Sequence, residues 1–404
     1  MKKSGSLYLS AREASAELAV APATLYAYVS RGLIRSEPTT DSRSRRYRAE
    51  DVRALKERRV PSPEPRGLKS FDADLPVLDS AIATITEDGP IYRGVNCITL
   101  AETDTLEHAA TLLWDATNVD PFTVDNRPVI SEPMRAIATA ARNAAPIDRA
   151  IAVLALAAGA DPQAFTRAPD GRAMVGGRIL RLVVGFMLNS EPSSDLLHQQ
   201  IARAWAPHDK AAPDLIRRVL VLLADHELNA STFTVRCAAS TGLNLYDATI
   251  AGLAALKGPK HGGASALSAQ LVRSLADVDL AEVVRERVAL GERFPGFGHG
   301  VYKLGDPRAH MLLRALAKAG AADRFTQEIP ARVLEATGEF VNIDYALAVL
   351  THALRMPVGS ELALFAMART VGWIAHASEQ LRSGGLIRPR ARYIGPVPGR
   401  RAHS

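Results

Sequence analysis

A chain of 404 residues, 47% hydrophobic and 23% charged, is long enough for a large core and more than one domain. Aromatic residues make up only 5%, so alanine and leucine carry the apolar load, which favours helices over sheets. No apolar run is long enough to span a bilayer, the basic start Met1-Lys2-Lys3 has no apolar stretch behind it, and Cys97 and Cys237 stand far apart without metal-ligand spacing. These features exclude a membrane span, a secretory leader and a disulfide framework, and they point to a cytoplasmic protein with reduced thiols. The net charge of +6 is uneven. Residues 1–70 hold 15 Lys+Arg against 8 Asp+Glu and the remainder 34 against 35, so a basic module precedes a neutral body.

The first predicted element is a helix over 11–18, with Ser10 as its cap and Glu13 in the capping-box position. Pro22 starts a second helix, Ala23 to Arg31, which stops at Gly32. A polar, arginine-rich loop, Asp41 to Arg46, leads through Tyr47-Arg48 into a third helix, Ala49 to Arg59. The pattern Leu9-Ser10-Ala11-Arg12-Glu13, Pro22-Ala23-Thr24-Leu25-Tyr26, Arg31-Gly32-Leu33-Ile34, Arg46-Tyr47 resembles the winged helix-turn-helix of the mercury-regulator and excisionase families. That resemblance implies DNA contact. Thr24, Tyr26, Tyr28 and Arg31 would lie on the helix offered to the major groove, and Arg43, Arg45, Arg46 and Arg48 on a wing reaching phosphates. A protein-contact role for the same module is the alternative.

Residues 1–60 are therefore expected to form a small domain and 61–74, rich in proline, a linker; 75–404 form the body, with a smaller subdomain over about 258–352. Helices are expected over 105–116, 133–144, 149–159, 264–275, 280–289, 308–319, 344–353 and 361–382. Leu215, Val219, Leu222 and Leu223 repeat at helical spacing before His226, and strand signals are confined to the region of Ile91-Tyr92. The fold class is mostly α.

Four segments of the body bear chemistry: Asp225-His226-Glu227, Gly258-Pro259-Lys260-His261-Gly262-Gly263, Gly296-Phe297-Gly298-His299 and Asn342-Ile343-Asp344. A carboxylate such as Asp344 suits removal of a weakly acidic proton beside a thioester carbonyl once burial raises its basicity. A neutral histidine at a glycine turn, His261, suits the developing oxyanion, and His299 suits polarisation of an acceptor carbonyl. A dicarboxylate acceptor needs arginines. Spacing alone does not single out which of the chain's arginines serve.

With Tyr302-Lys303, Asp306-Pro307-Arg308-Ala309, Phe365 to His376 and Arg388-Pro389-Arg390 added, these segments closely resemble the citrate synthase family over about 75–395. The resemblance implies a fold of large and small helical domains behind the winged module, and a homodimer. Asp344 would take the methyl proton of acetyl-CoA, His261 hold the thioester oxygen and His299 polarise oxaloacetate. His226, Arg308 and Arg369 would hold its carboxylates, with Arg388 reaching across from the partner subunit. No metal and no permanently bound cofactor is implied; acetyl-CoA or another short acyl-CoA is a co-substrate. Propionyl-CoA as acyl donor, giving 2-methylcitrate, and a DNA-binding regulator whose body senses oxaloacetate or acyl-CoA are the alternatives. His208, His310, His352 and His376 read as structural or surface residues.

Overall fold

The computed structural model describes residues 8–18, 20, 22–30, 33–39, 45–59 and 78–395. The chain forms two compact units, 1–75 and 76–404. The proline-rich stretch 61–74, Arg31 and Arg43 lie outside the described residues.

In the first unit β1 (Tyr8–Ser10) runs into α1 (Ala11–Leu18). The capping box forms: Ser10 N–H donates to Glu13 Oε2 at 2.8 Å and Glu13 N–H to Ser10 Oγ at 3.3 Å. After α2 (Pro22–Ser30), strands β2 (Ser36–Pro38) and β3 (Arg45–Arg48) precede α3 (Ala49–Arg59). The three strands pair antiparallel in the order β1-β3-β2, with Tyr47 opposite both Leu9 and Ser36. This corrects the expected loop: Arg45 and Arg46 belong to a strand. Tyr47 is buried with Ala14, Leu18, Leu25, Ile34 and Val52, while Arg46 beside it stays exposed, the alternation of a half-buried strand.

The second unit opens with a meander, β4 (Ala83–Thr86), β5 (Gly89–Tyr92) and β6 (Val95–Asn96), so strand structure extends on both sides of Ile91-Tyr92. Helices α4 (Cys97–Thr103), α5 (Leu106–Trp114), α6 (Glu132–Ala140), α7 (Pro146–Ala160) and α8 (Pro169–Met187) follow. Next come α9 (Leu197–Trp205), α10 (Ala212–Leu223), α11 (Ala230–Ala239), α12 (Leu245–Leu256), α13 (Gly263–Ser274) and α14 (Leu280–Ala289). The last are α15 (Pro307–Lys318), a π-helical turn (Arg324–Glu328), α16 (Ile329–Thr337), α17 (Ile343–Ala353) and α18 (Ser360–Ser383). Among the described residues no helix is long and apolar enough to cross a membrane.

The 24-residue α18 is the spine of this unit, packed against α5, α8, α10, α11, α12 and α13. Trp373 on it is fully buried, and its Gly372 N–H donates to Ala224 O at 3.0 Å, which ties the spine to the end of α10. Gly372 is required there, because a Cβ would sit 2.3 Å from Asp225 Oδ1 and 2.6 Å from Ala224 O. That close approach brings the Asp225-His226 turn against the helix carrying Arg369.

Candidate active site

His226 sits in the turn between α10 and α11. Glu227 beside it adopts φ +55°, and Asn229 caps α11 by accepting the Thr232 N–H at 3.0 Å. Tyr92 clamps the same turn: its hydroxyl accepts the Asp225 N–H at 3.1 Å and stands 3.1 Å from Asp225 O. His226 Nε2 lies 3.2 Å from Tyr302 Oη, and its ring meets that of His299 edge-on with centroids 5.7 Å apart.

His299 is placed by a glycine loop. Gly296 (φ +89°) and Gly298 (φ +75°) take backbone conformations that side chains resist, and a Cβ on Gly296 would come within 2.7 Å of Tyr345 Cβ. The imidazole is fixed by its own backbone: Nδ1 accepts the Val301 N–H at 3.0 Å and the Tyr302 N–H at 3.3 Å. An imidazole nitrogen that accepts carries no hydrogen, so the neutral ring presents Nε2–H.

His261 closes the turn between α12 and α13, where Gly262 permits a close approach: a Cβ there would lie 2.2 Å from Leu256 O. His261 Nε2 is 2.8 Å from Ser231 Oγ, which also accepts the Trp373 indole N–H at 3.2 Å. Its ring meets Phe365 edge-on, and Phe365 in turn lies under the Arg369 guanidinium at 4.7 Å.

Asp344 occupies the first turn of α17, whose cap Asn342 accepts the Asp344 N–H at 3.0 Å. Asn342 has a second partner, donating from Nδ2 to Gly298 O at 2.9 Å, while its own N–H donates to Gly296 O at 2.9 Å. One residue thus holds both the carboxylate helix and the His299 loop. Asp306 makes a third tie: Ile343 N–H donates to Oδ2 at 3.1 Å, and the Arg308 fork grips both oxygens at 3.0 and 2.8 Å.

Burial sets the electrostatics. It raises the Asp344 carboxyl above the ordinary aspartate range, opposed by the Ser265 hydroxyl and by Arg308. Burial lowers His226 well below its usual value, with Arg308, Arg369 and His299 adding to the effect; it lowers His261, aided by Arg369. His299 is brought down to about 4, by burial and then Arg308. Burial pulls Arg369 down to about 10, against which Asp225 acts, whereas Arg308, equally buried, is held above its usual value by Asp306. At neutral pH the pocket therefore holds three neutral imidazoles, one carboxylate of raised proton affinity and two guanidinium cations. Arg369 spends Nε on Leu223 O at 2.9 Å, but its buried Nη1 has no hydrogen-bond partner among the described residues. A buried donor left open in this way suits an anionic oxygen.

The structure thus draws His226, His261, His299, Arg308, Arg369 and Asp344 into one cluster. Arg388 is not in it. It is exposed on the extended stretch after α18, and no hydrogen bond or ion pair joins it to the cluster. Of the histidines set aside, His376 is fully buried with Nε2 3.4 Å from Asp225 Oδ1. Sequence reasoning gave Ser231, Ser265, Tyr302 and Trp373 no role in holding the cluster, because their partners lie 30 to 142 positions away. In the first unit Thr24 and Tyr28 are half-buried, Tyr26 is 55% exposed and Arg45 is exposed. Arg46 pairs with Glu37 at 3.2 Å and lies over the Tyr8 ring at 4.3 Å, and Arg48 pairs with Glu37 and Glu50.

Fold and cluster together define a mostly helical protein in which buried histidines and a buried carboxylate gather beside two buried arginines, with a small three-stranded, three-helix unit before it in the chain. Residues 70–390 match the family model for the C-terminal domain of citrate synthase, and residues 9–59 match that of the MerR HTH family regulatory proteins. The chain belongs to the citrate synthase family and carries a MerR-type helix-turn-helix at its N-terminus. The citrate synthase of Haloferax volcanii is 36% identical over 219 residues, 52% of this chain and 54% of that one. The 2-methylcitrate synthase of Shewanella oneidensis is 33% identical over 203 residues, 47% of this chain and 54% of that one. The chain thus spans about half the length of the curated relatives it matches. Among solved structures, citrate synthase from Thermotoga maritima aligns with a TM-score of 0.67 at 26% identity, covering 80% of this chain and 94% of that one. Citrate synthase from Thermoplasma acidophilum, solved as a ternary complex with carboxymethyl coenzyme A and oxaloacetate, aligns with a TM-score of 0.66 at 25% identity, covering 81% and 96%.

Proposed function

We propose that this chain condenses acetyl-CoA with oxaloacetate to give citrate and CoA. The observation that carries this reading is a buried carboxylate of raised proton affinity sharing one cluster with neutral His261 and His299. Asp344 takes a methyl proton from acetyl-CoA, and the C–H electron pair moves into the enolate form of the enol, whose oxygen is stabilised by a hydrogen bond from His261. The tautomer that donates there carries its hydrogen on Nδ1, and it requires Ser231 Oγ to turn its one hydrogen from Asn229 Oδ1 (3.0 Å) to His261 Nε2 (2.8 Å). The nucleophilic carbon attacks the keto carbon of oxaloacetate, whose oxygen accepts a hydrogen bond from the Nε2–H of His299 as negative charge develops there, and the proton taken by Asp344 finally balances the alkoxide. Water then cleaves the thioester of citryl-CoA, releasing citrate and CoA.

His226, Arg308 and Arg369 bind the oxaloacetate carboxylates, the open Nη1 of Arg369 being the donor best placed for an oxygen. Arg388 is assigned to the same job across a homodimer, in keeping with its exposed position. The cycle needs no metal and no resident cofactor; acyl-CoA is a co-substrate. Propionyl-CoA is the alternative donor, supported by the relative named for 2-methylcitrate; one methylene separates the two by about 1–3 kcal/mol. We assign the domains as 1–60, a linker over 61–74 and 75–404 with its smaller part near 258–352, and the location as cytoplasmic.

Purified chain with oxaloacetate and either acyl-CoA, followed by free thiol release, tests this. Turnover that Asp344→Ala abolishes while acyl-CoA binding persists supports it. No turnover with any short acyl-CoA, together with ligand-dependent DNA binding, supports the second reading, a regulator that senses these ligands, which the match of residues 9–59 favours.

A further inference from the structure

Asp344 has two carboxylate oxygens, and the condensation uses one. Ser265 decides the other. It sits in the first turn of α13, four residues past His261, and is 1% exposed. Its Oγ donates to Asp344 Oδ1 at 2.5 Å, and its backbone N–H donates to Gly262 O at 3.3 Å, inside the glycine turn that follows His261. The serine thereby links the histidine turn on α13 to the carboxylate on α17.

We propose that Ser265 is a positioning residue for the general base, holding Oδ1 so that Oδ2 alone faces the substrate's proton. This rests on the condensation reading above. A serine hydroxyl has one hydrogen. Committed to Oδ1, it gives none to substrate, so Ser265 acts on the reaction only through Asp344. The hydrogen bond favours the ionised form of the carboxylate and stops rotation about its terminal torsion, which burial alone leaves broad. The other charged groups acting on Asp344 are Arg308 and Asp306 at the start of α15 and Arg369 on α18, none of them on its own helix.

The test uses the full chain carrying Ser265→Ala, with Ser265→Thr as the variant that keeps the hydroxyl. Alanine leaves the helix intact and removes only the donor. Expected is a fall in kcat of about 10–100-fold, with the KM for oxaloacetate within twofold. The acid limb of kcat should also move to higher pH, because losing a donor to the ionised form raises the carboxyl further. Threonine should recover most of the loss. Carbon-13 NMR of aspartate-labelled protein without substrates follows the Asp344 carboxyl separately. An upward move of its midpoint in Ser265→Ala supports the assignment whether or not turnover is seen; missing wild-type turnover then overturns the condensation reading alone. An unmoved midpoint, or kcat within twofold of wild type with the acid limb in place, overturns the role of Ser265.

Discussion

At the scale of single residues, the cluster trades stability for chemistry. Asp344 is held above its ordinary range by burial, so it binds a proton more tightly folded than unfolded. Its favourable contribution is present below the ordinary aspartate value and is lost as pH rises through the raised one. Asp344→Asn should therefore raise the melting temperature at pH 7 by ~1–3 °C and bring no gain at pH 3, while cutting thiol release at least ~1000-fold; calorimetry and the thiol assay check the two halves. His299, brought down to about 4, remains neutral across the working range. Its titration should not contribute to the acid limb that Asp344 sets in kcat, and His299→Gln should leave the position of that limb unchanged while lowering kcat about 100-fold.

At the scale of elements, what was legible followed amphipathic period. Helices expected over 280–289 and 49–59 match α14 and α3, and the glycine and amide residues flanking His299 and Asp344 marked the turns that carry them. Helix α8 was not legible. It is buried along nearly its whole length, with Arg172, Arg178 and Arg181 inside, so no polar face gives it a stripe. Two of those arginines are held by partners the sequence does not advertise: Arg178 pairs with Asp161 at 2.9 Å, and Arg181 donates to the carbonyls of Phe122, Thr123 and Asn126. Gly176 and Gly177, residues of low intrinsic helix propensity, are the reason the helix fits, since a Cβ on Gly177 would stand 2.2 Å from Pro121 O. Gly177→Ala should destabilise the chain by about 2–4 kcal/mol in chemical denaturation while leaving the kcat of the folded fraction near wild type. The supporting residues Ser231, Ser265 and Trp373 were illegible for a related reason. Ser265 and Trp373 each act through one side-chain hydrogen bond to a distant segment and Ser231 through two, and the sequence around them does not name those partners.

At the scale of the whole molecule, a positive first sixth is joined to a body of nearly balanced charge. Much of that positive charge is answered locally: Arg46 and Arg48 face Glu37, and Arg35 faces Glu50 and Asp51. Exposed pairs of this kind contribute at most about 1 kcal/mol and dissolve readily against phosphate. If the wing meets DNA, Glu37→Gln should strengthen binding of the full chain to duplex about 3–10-fold at low salt, and Arg45→Ala should weaken it across all sequences and flatten the salt slope by about one unit. Fluorescence anisotropy over a salt series measures both.

The dual grip of Asn342 constrains how this pocket can open. Because one amide bridges the cap of α17 and the carbonyl of Gly298, Asp344 and the loop carrying His299 are joined into a single block. Any breathing of the interior must carry both toward or away from His226 and Arg369 together. A movement that keeps these bonds alters the gap between that block and the spine and leaves the spacing within the block unchanged.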